Sequence, residues 1–176
     1  MTLLRLHLGG KLLGFTESPN RKEYLKRELP QRTPQEFLSA YEDLMEEFWE
    51  AMPADQALLL AELPLAERFE DYLEALAAVK GGTKEQYLLE KYSEFLDWAE
   101  EVDEPARSVA FRGNGLLAEQ FEAYIAALVA AGDADRLPEL FERFARNWDY
   151  FGGYSRLGSA AFRAGRMDLE IGRAHV

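Results

Sequence analysis

Thr33-Pro34-Gln35-Glu36-Phe37-Leu38-Ser39-Ala40-Tyr41-Glu42-Asp43-Leu44-Met45-Glu46-Glu47-Phe48-Trp49-Glu50-Ala51-Met52 is the stretch whose reading decides the fold. Thr33 places a hydroxyl before a proline and Glu36 follows three residues later, so the two side chains satisfy each other's backbone N–H groups as a capping box. Behind that start, Phe37, Tyr41, Leu44, Phe48 and Met52 recur every three or four residues, while Glu36, Glu42, Asp43, Glu46, Glu47 and Glu50 take the other faces. This is the period of a helix with one buried stripe, and it predicts a helix from Pro34 to Met52.

The same grammar continues on both sides. Ser18-Pro19 marks an earlier helix start. Pro53 and Pro64 bracket a shorter apolar helix, Ala54 to Leu63, after which Leu65, Phe69, Tyr72, Leu76 and Val79 carry the helical spacing up to Gly81-Gly82. Thr83 with Gln86 reopens it. Leu88, Tyr92, Phe95 and Ala99 form the next stripe, which ends near Asp103-Glu104-Pro105, and a short helix runs to the Gly113-Asn114-Gly115 break. Leu116 to Ala131 and Arg136 to Trp148 flank the turn Gly132-Asp133-Ala134-Asp135 as a helical hairpin. A second hairpin starts at Tyr154 and turns at Gly165-Arg166-Met167-Asp168. Leu3 to Phe15 admits two readings. Alternation around Gly9-Gly10 suggests a β-hairpin, while Leu4, Leu8, Leu12 and Phe15 suit a helix; the helix is preferred because an isolated two-stranded hairpin is marginal and no third strand follows.

The fold class expected is all-α, an array of antiparallel helical hairpins. Met1 to Leu169 reads as one helical domain, with irregular helices over 1–115 and repeat-like hairpins over 116–169. The chain has no cysteine, which excludes disulfides, thiolate zinc sites and Cys nucleophiles. Its two histidines, His7 and His175, leave no triad or carboxylate–histidine metal set. The longest apolar run, near Ala123 to Ala131, is too short to cross a membrane, and Arg5, His7 and Lys11 interrupt the one stretch resembling a secretory signal. A cytoplasmic location with no membrane partner is the expectation.

Charge narrows the partners. Residues 1–33 carry seven Lys/Arg against three Asp/Glu, residues 34–104 carry four against twenty, and residues 105–176 carry nine against nine. Nucleic acid is therefore not an expected ligand, since phosphate neutralisation needs a basic surface. Arg21, Lys22, Lys26 and Arg27 read as a solvated face paired with Glu23 and Glu28. Glu42, Glu46 and Glu50 share one helix face and read as solvated, because a cation site needs ligands from several elements. Phe151-Gly152-Gly153-Tyr154-Ser155-Arg156-Leu157-Gly158 lacks the Lys-Ser/Thr of a phosphate loop and reads as a turn and helix start. Trp148, Tyr150, Phe151 and Tyr154 beside Arg146 and Arg156 read as core between hairpins.

Leu157-Gly158-Ser159-Ala160-Ala161-Phe162-Arg163-Ala164-Gly165-Arg166-Met167-Asp168 resembles the first helix and turn of a tetratricopeptide repeat. Leu157, Gly158, Gly165 and Asp168 match its small-residue and turn positions, and Tyr154 stands at its large aromatic. In the preceding unit Gly132, Asp135 and Phe141 fit, although Ile125 replaces a small residue. The two turn glycines are 33 residues apart, whereas Gly81 lies 51 residues before Gly132, so the period stops upstream. The resemblance covers about 116–169. It implies that first helices line a concave groove, with Glu119, Glu122, Ala126 and Val129, then Ser155, Ser159 and Arg163, as the partner contacts. The final residues, Ile171-Gly172-Arg173-Ala174-His175-Val176, resemble the translation of a sequencing adapter, so 170–176 reads as a non-native tail and Met1 to Leu169 as part of a longer frame; a native tail is the alternative.

The function expected is a protein–protein interaction or scaffolding module that is not an enzyme, uses no cofactor and binds another protein or peptide. An accessory helical region of a larger enzyme or regulator is the alternative. A third reading, from the acidic middle, is an inhibitor that mimics nucleic acid.

Overall fold

The structure is a computed structural model that describes residues 5–8, 11–14, 21–103, 106–112, 115–146 and 154–166. The chain divides into two compact units, Met1–Lys84 and Glu85–Val176. From Arg21 onward every described element is helical, so the body is all-α, with a strand pair ahead of it.

That pair is β1 (Arg5–Leu8) and β2 (Lys11–Gly14), antiparallel, with Arg5 opposite Gly14 and Leu8 opposite Lys11. The helix preferred for Leu3 to Phe15 is thus corrected to a hairpin. Support comes from a helix rather than a third strand, for β1 lies beside α2 (Pro34–Glu50).

The rest of the first unit is α1 (Arg21–Glu28), a 3-10 turn (Leu29–Gln31), α2, α3 (Pro53–Glu62) and α4 (Phe69–Lys80). The capping box forms as read: Thr33 N donates to Glu36 Oε2 at 3.1 Å and Glu36 N to Thr33 Oγ1 at 3.4 Å. Phe37, Tyr41, Leu44 and Phe48 are buried, but Met52 is 69% exposed. Pro53 starts a new helix, so Met52 is the extended residue ahead of it and falls out of the stripe. α4 packs along α2, where the Tyr41 and Tyr72 rings stack 4.4 Å apart. The Tyr41 hydroxyl donates to Leu65 O at 2.6 Å. Residues 65–68 therefore form a turn held from α2, and the helix read from Leu65 starts four residues later.

The second unit is built on α5 (Lys84–Glu101), followed by α6 (Ala106–Phe111), α7 (Leu116–Glu119), α8 (Phe121–Ala130), a 3-10 turn (Ala134–Arg136), α9 (Leu137–Arg146) and α10 (Tyr154–Arg163). The single helix read over Leu116 to Ala131 breaks at Gln120, whose φ −91°, ψ 0° lies in the bridge region. Gly132 and Gly165 end α8 and α10 with φ of +84° and +68°. In both turns the next N–H bonds back to the fifth residue before it, Asp133 N to Leu128 O and Arg166 N to Ala161 O, each at 2.9 Å. These are Schellman caps, which need an αL residue and so favour glycine. Among the described residues, a Cβ built on Gly158 meets no atom within 4 Å.

The second unit also repeats the first. Tyr92 donates to Leu117 O at 2.6 Å and its ring stacks 4.2 Å from Tyr124, reproducing Tyr41, Leu65 and Tyr72. Gln56 Nε2 donates to Phe48 O, and Arg107 Nε to Ala99 O, each reaching eight residues back. Arg68 N bonds Pro64 O and Tyr72 N bonds Arg68 O; fifty-two residues on, Gln120 N bonds Leu116 O and Tyr124 N bonds Gln120 O. The sequence carries it: Leu65-Ala66-Glu67-Arg68-Phe69-Glu70-Asp71-Tyr72 and Leu117-Ala118-Glu119-Gln120-Phe121-Glu122-Ala123-Tyr124 differ at two of eight positions. The 51 residues from Gly81 to Gly132 fall within one residue of this 52-residue offset. A third copy follows. Leu88-Leu89-Glu90-Lys91-Tyr92 returns as Leu140-Phe141-Glu142-Arg143-Phe144, and Ser108-Val109-Ala110-Phe111-Arg112 as Ser159-Ala160-Ala161-Phe162-Arg163.

Candidate partner-binding face

α8 and α10 lie side by side in the second unit. Their buried sides hold Tyr124, Ile125, Ala127 and Leu128 from α8 and Ala160 and Ala161 from α10. Helical geometry then turns the residues between them outward. On α8, Ala126 and Val129 are exposed and Glu122 is half-buried; on α10, Ser159, Phe162 and Arg163 are exposed; Glu119, on α7, is exposed. Arg163 Nη1 pairs with Glu122 Oε2 across the two helices. The face is anchored at its end by Arg166, whose Nη1 donates to Ala134 O at 3.1 Å.

Six of the seven residues predicted as contacts therefore occupy α7, α8 and α10 as solvent-accessible positions, and Glu122 and Arg163 are brought into direct contact. The Ser155 side chain lies outside the described residues, as do the Trp148, Tyr150, Phe151 and Tyr154 cluster and the 170–176 tail. The feature that sequence reasoning missed is Phe162, 70% exposed beside Arg163. Its signal was the match of Ser159 to Arg163 with Ser108 to Arg112, in which the equivalent aromatic, Phe111, is fully buried.

Several of the other charged groups are engaged in the fold. Arg21 and Lys22 do not pair with Glu23 and Glu28 as read. Arg21 Nη2 reaches Glu47 Oε2 at 2.7 Å and Lys22 Nζ reaches Glu67 Oε1 at 2.6 Å, because α1 leans on acidic α2 and the turn before α4, a lower-dielectric setting than its own outer face. Only Arg27 keeps a local partner, Glu28, at 3.4 Å. Glu42, Glu46 and Glu50 are exposed, and Glu42 is tied to Lys80 at 2.9 Å. Lys84 holds Glu70 and Glu74, and Arg143 holds Asp97 and Glu100. Burial pushes the Tyr41 and Tyr92 phenols well above the ordinary tyrosine range, and both hydroxyls are spent on backbone carbonyls. Among the described residues no three His, Asp or Glu side chains are grouped to hold a metal ion, and no helix is long and apolar enough to cross a membrane. Compared with protein-family models, with curated proteins and with solved structures, the chain matches none.

Proposed function

We propose that this chain is a protein-binding module of repeated helical units, with the α8–α10 face as its contact surface. One observation carries the reading: the same buried tyrosine clamp recurs in both units, so the chain repeats a structural frame rather than building one concave chemical site. Proteins made of stacked helical repeats act through extended surfaces, and here the buried positions recur while part of the outward face changes, Glu74 and Ala77 standing where α8 has Ala126 and Val129, although Glu67 and Glu70 recur as Glu119 and Glu122. The face combines a charged pair with apolar Val129 and Phe162, the mixture of anchor and polar rim that protein interfaces use. The resemblance of 116–169 to tetratricopeptide hairpins points the same way.

The test is capture of a partner from lysate by the wild-type chain, Glu122→Lys, Arg163→Glu and a control on the acidic helix, Glu46→Lys. The expected result is loss with either face variant and retention with the control. A charge swap, Glu122→Arg with Arg163→Glu, keeps the internal pair but inverts the face; it restores the fold and not the partner. Loss with Glu46→Lys alone moves the surface to α2 and overturns the reading.

A further inference from the structure

We propose that the β1–β2 hairpin is a lock on the copy-facing side of α2, and that a chain whose hairpin is opened seats α2 on Phe162 of a second copy. The inference rests on the internal repeat and not on the protein-binding reading above. The repeat supplies the template for the joint. In the second unit α9, the first helix of the third copy, closes on the copy before it through aromatic rings. Phe144 meets Phe111 edge-on at 5.7 Å and 83° and stacks 6.5 Å from Tyr92, and Phe141 meets Phe121 at 6.0 Å. The third copy's own Ser-x-Ala-Phe-Arg segment presents Phe162 at 70% exposure, where the second copy buries Phe111 fully.

On α2, Leu38 and Tyr41 stand in the places of Phe141 and Phe144, and both are buried, at 1% and 0% exposure. The preceding copy that buries such residues on α9 has only a partial counterpart here. α1 lies beside α3 as α8 lies beside α10, so it takes a third-helix place, and it is held by Arg21 on Glu47 and Lys22 on Glu67. The first-helix and second-helix places of that copy have no helix among the described residues; the element beside α2 is β1. The hairpin thus does on α2 what Tyr92 and Phe111 do on α9. Its ladder has two strands of four residues each, and such a pair is marginal by itself, whereas α2 keeps its packing on α4 through the Tyr41–Tyr72 stack. An opened hairpin therefore bares one side of α2 without dismantling the helix. That side and Phe162 are the two halves of the joint that Phe144 and Phe111 make within one chain. The halves differ, so the contact runs head to tail from chain to chain and does not close as a two-fold pair.

The test uses the full chain with Leu6→Pro and Leu13→Pro, which face each other across the ladder, because proline cannot donate a ladder hydrogen bond. Sedimentation velocity is expected to show this opened chain associating about tenfold or more tighter than the wild type, and losing that gain when Phe162→Ser removes the aromatic seat. The opened chain carrying Phe162→Ser should pair one-to-one with the wild type and go no further, since each then brings one half of the joint. Far-UV circular dichroism of the opened chain should keep the helical signal of the wild type. Loss of that signal makes the hairpin part of the fold rather than a lock and overturns the inference. A folded opened chain that stays monomeric, association indifferent to Phe162→Ser, or a wild type that associates as tightly as the opened chain overturns it as well.

Discussion

Tyr92 and Tyr124 stack 4.2 Å apart with their ring planes 22° from parallel, and the Tyr92 hydroxyl donates to Leu117 O at 2.6 Å. One side chain of α5 thus holds the carbonyl ahead of the Gln120 break and the helix that follows it. Tyr124 is held in turn, its hydroxyl 2.9 Å from Ser93 Oγ, one residue beyond Tyr92. The first unit builds the same clamp from Tyr41, Leu65 and Tyr72.

Removing a clamp hydroxyl leaves a buried carbonyl without its partner. Tyr41→Phe and Tyr92→Phe are each expected to cost about 1–3 kcal/mol, the penalty of an unsatisfied buried acceptor. Tyr124→Phe should cost less, about 0.5–1.5 kcal/mol, because Ser93 Oγ retains its bond to Leu89 O at 2.8 Å. Urea unfolding of the three variants checks the order; equal losses would show that the hydroxyls are not what holds the turns.

Alkaline pH should act through the same two phenols. Burial raises the folded pKa of Tyr41 and Tyr92 above the unfolded value, so their contribution is complete below about pH 10 and is lost as pH rises toward the folded values. In that window each phenol removes about 1.4 kcal/mol of stability per pH unit. Absorbance of the phenolate should therefore show Tyr41 and Tyr92 ionising only together with loss of helix. Smooth titration of all eight tyrosines ahead of unfolding would contradict the buried placement.

The connection between α6 and α7 depends on a missing side chain. A Cβ on Gly115 would overlap Ala110 O and Val109 O, both backbone atoms that cannot swing aside. Gly115→Ala is expected to cost about 1–3 kcal/mol by overpacking, although its φ of −75° suits any residue. Gly132→Ala has open space around it but φ of +84°, and should cost about 1–2 kcal/mol through the αL conformation alone. Thermal melts of the pair separate the causes: Gly132→Asn should recover part of the loss, and Gly115→Asn none.

The helices were legible because each long stripe has one period and one cap: Phe37 to Phe48 and Leu88 to Ala99 are buried where the spacing put them. The hairpin at Arg5 to Gly14 was not, since what supports it is α2, far away in the sequence. The duplication hid for a local reason. The spacing is not constant, 51 residues from Tyr41 to Tyr92 but 52 from Tyr72 to Tyr124, and a 33-residue hairpin period passes over both. The candidate face was legible as outward positions on α8 and α10. Phe162 was not, because helical spacing cannot say which of several apolar residues a neighbouring element covers; that depends on Phe144 reaching Phe111.

The copied segment supplies an internal control for that last point. Phe111 and Phe162 stand in the same Ser-x-Ala-Phe-Arg context, one fully buried against Phe144 and one 70% exposed. Phe111→Ala should cost about 3–5 kcal/mol, the transfer and cavity terms of a lost core aromatic. Phe162→Ala should change stability by less than about 0.5 kcal/mol, because a solvated ring loses little when truncated. Both are read from chemical denaturation of the isolated chain. If Phe162→Ala proves as costly as Phe111→Ala, the ring is covered within the chain itself and its exposed placement is wrong.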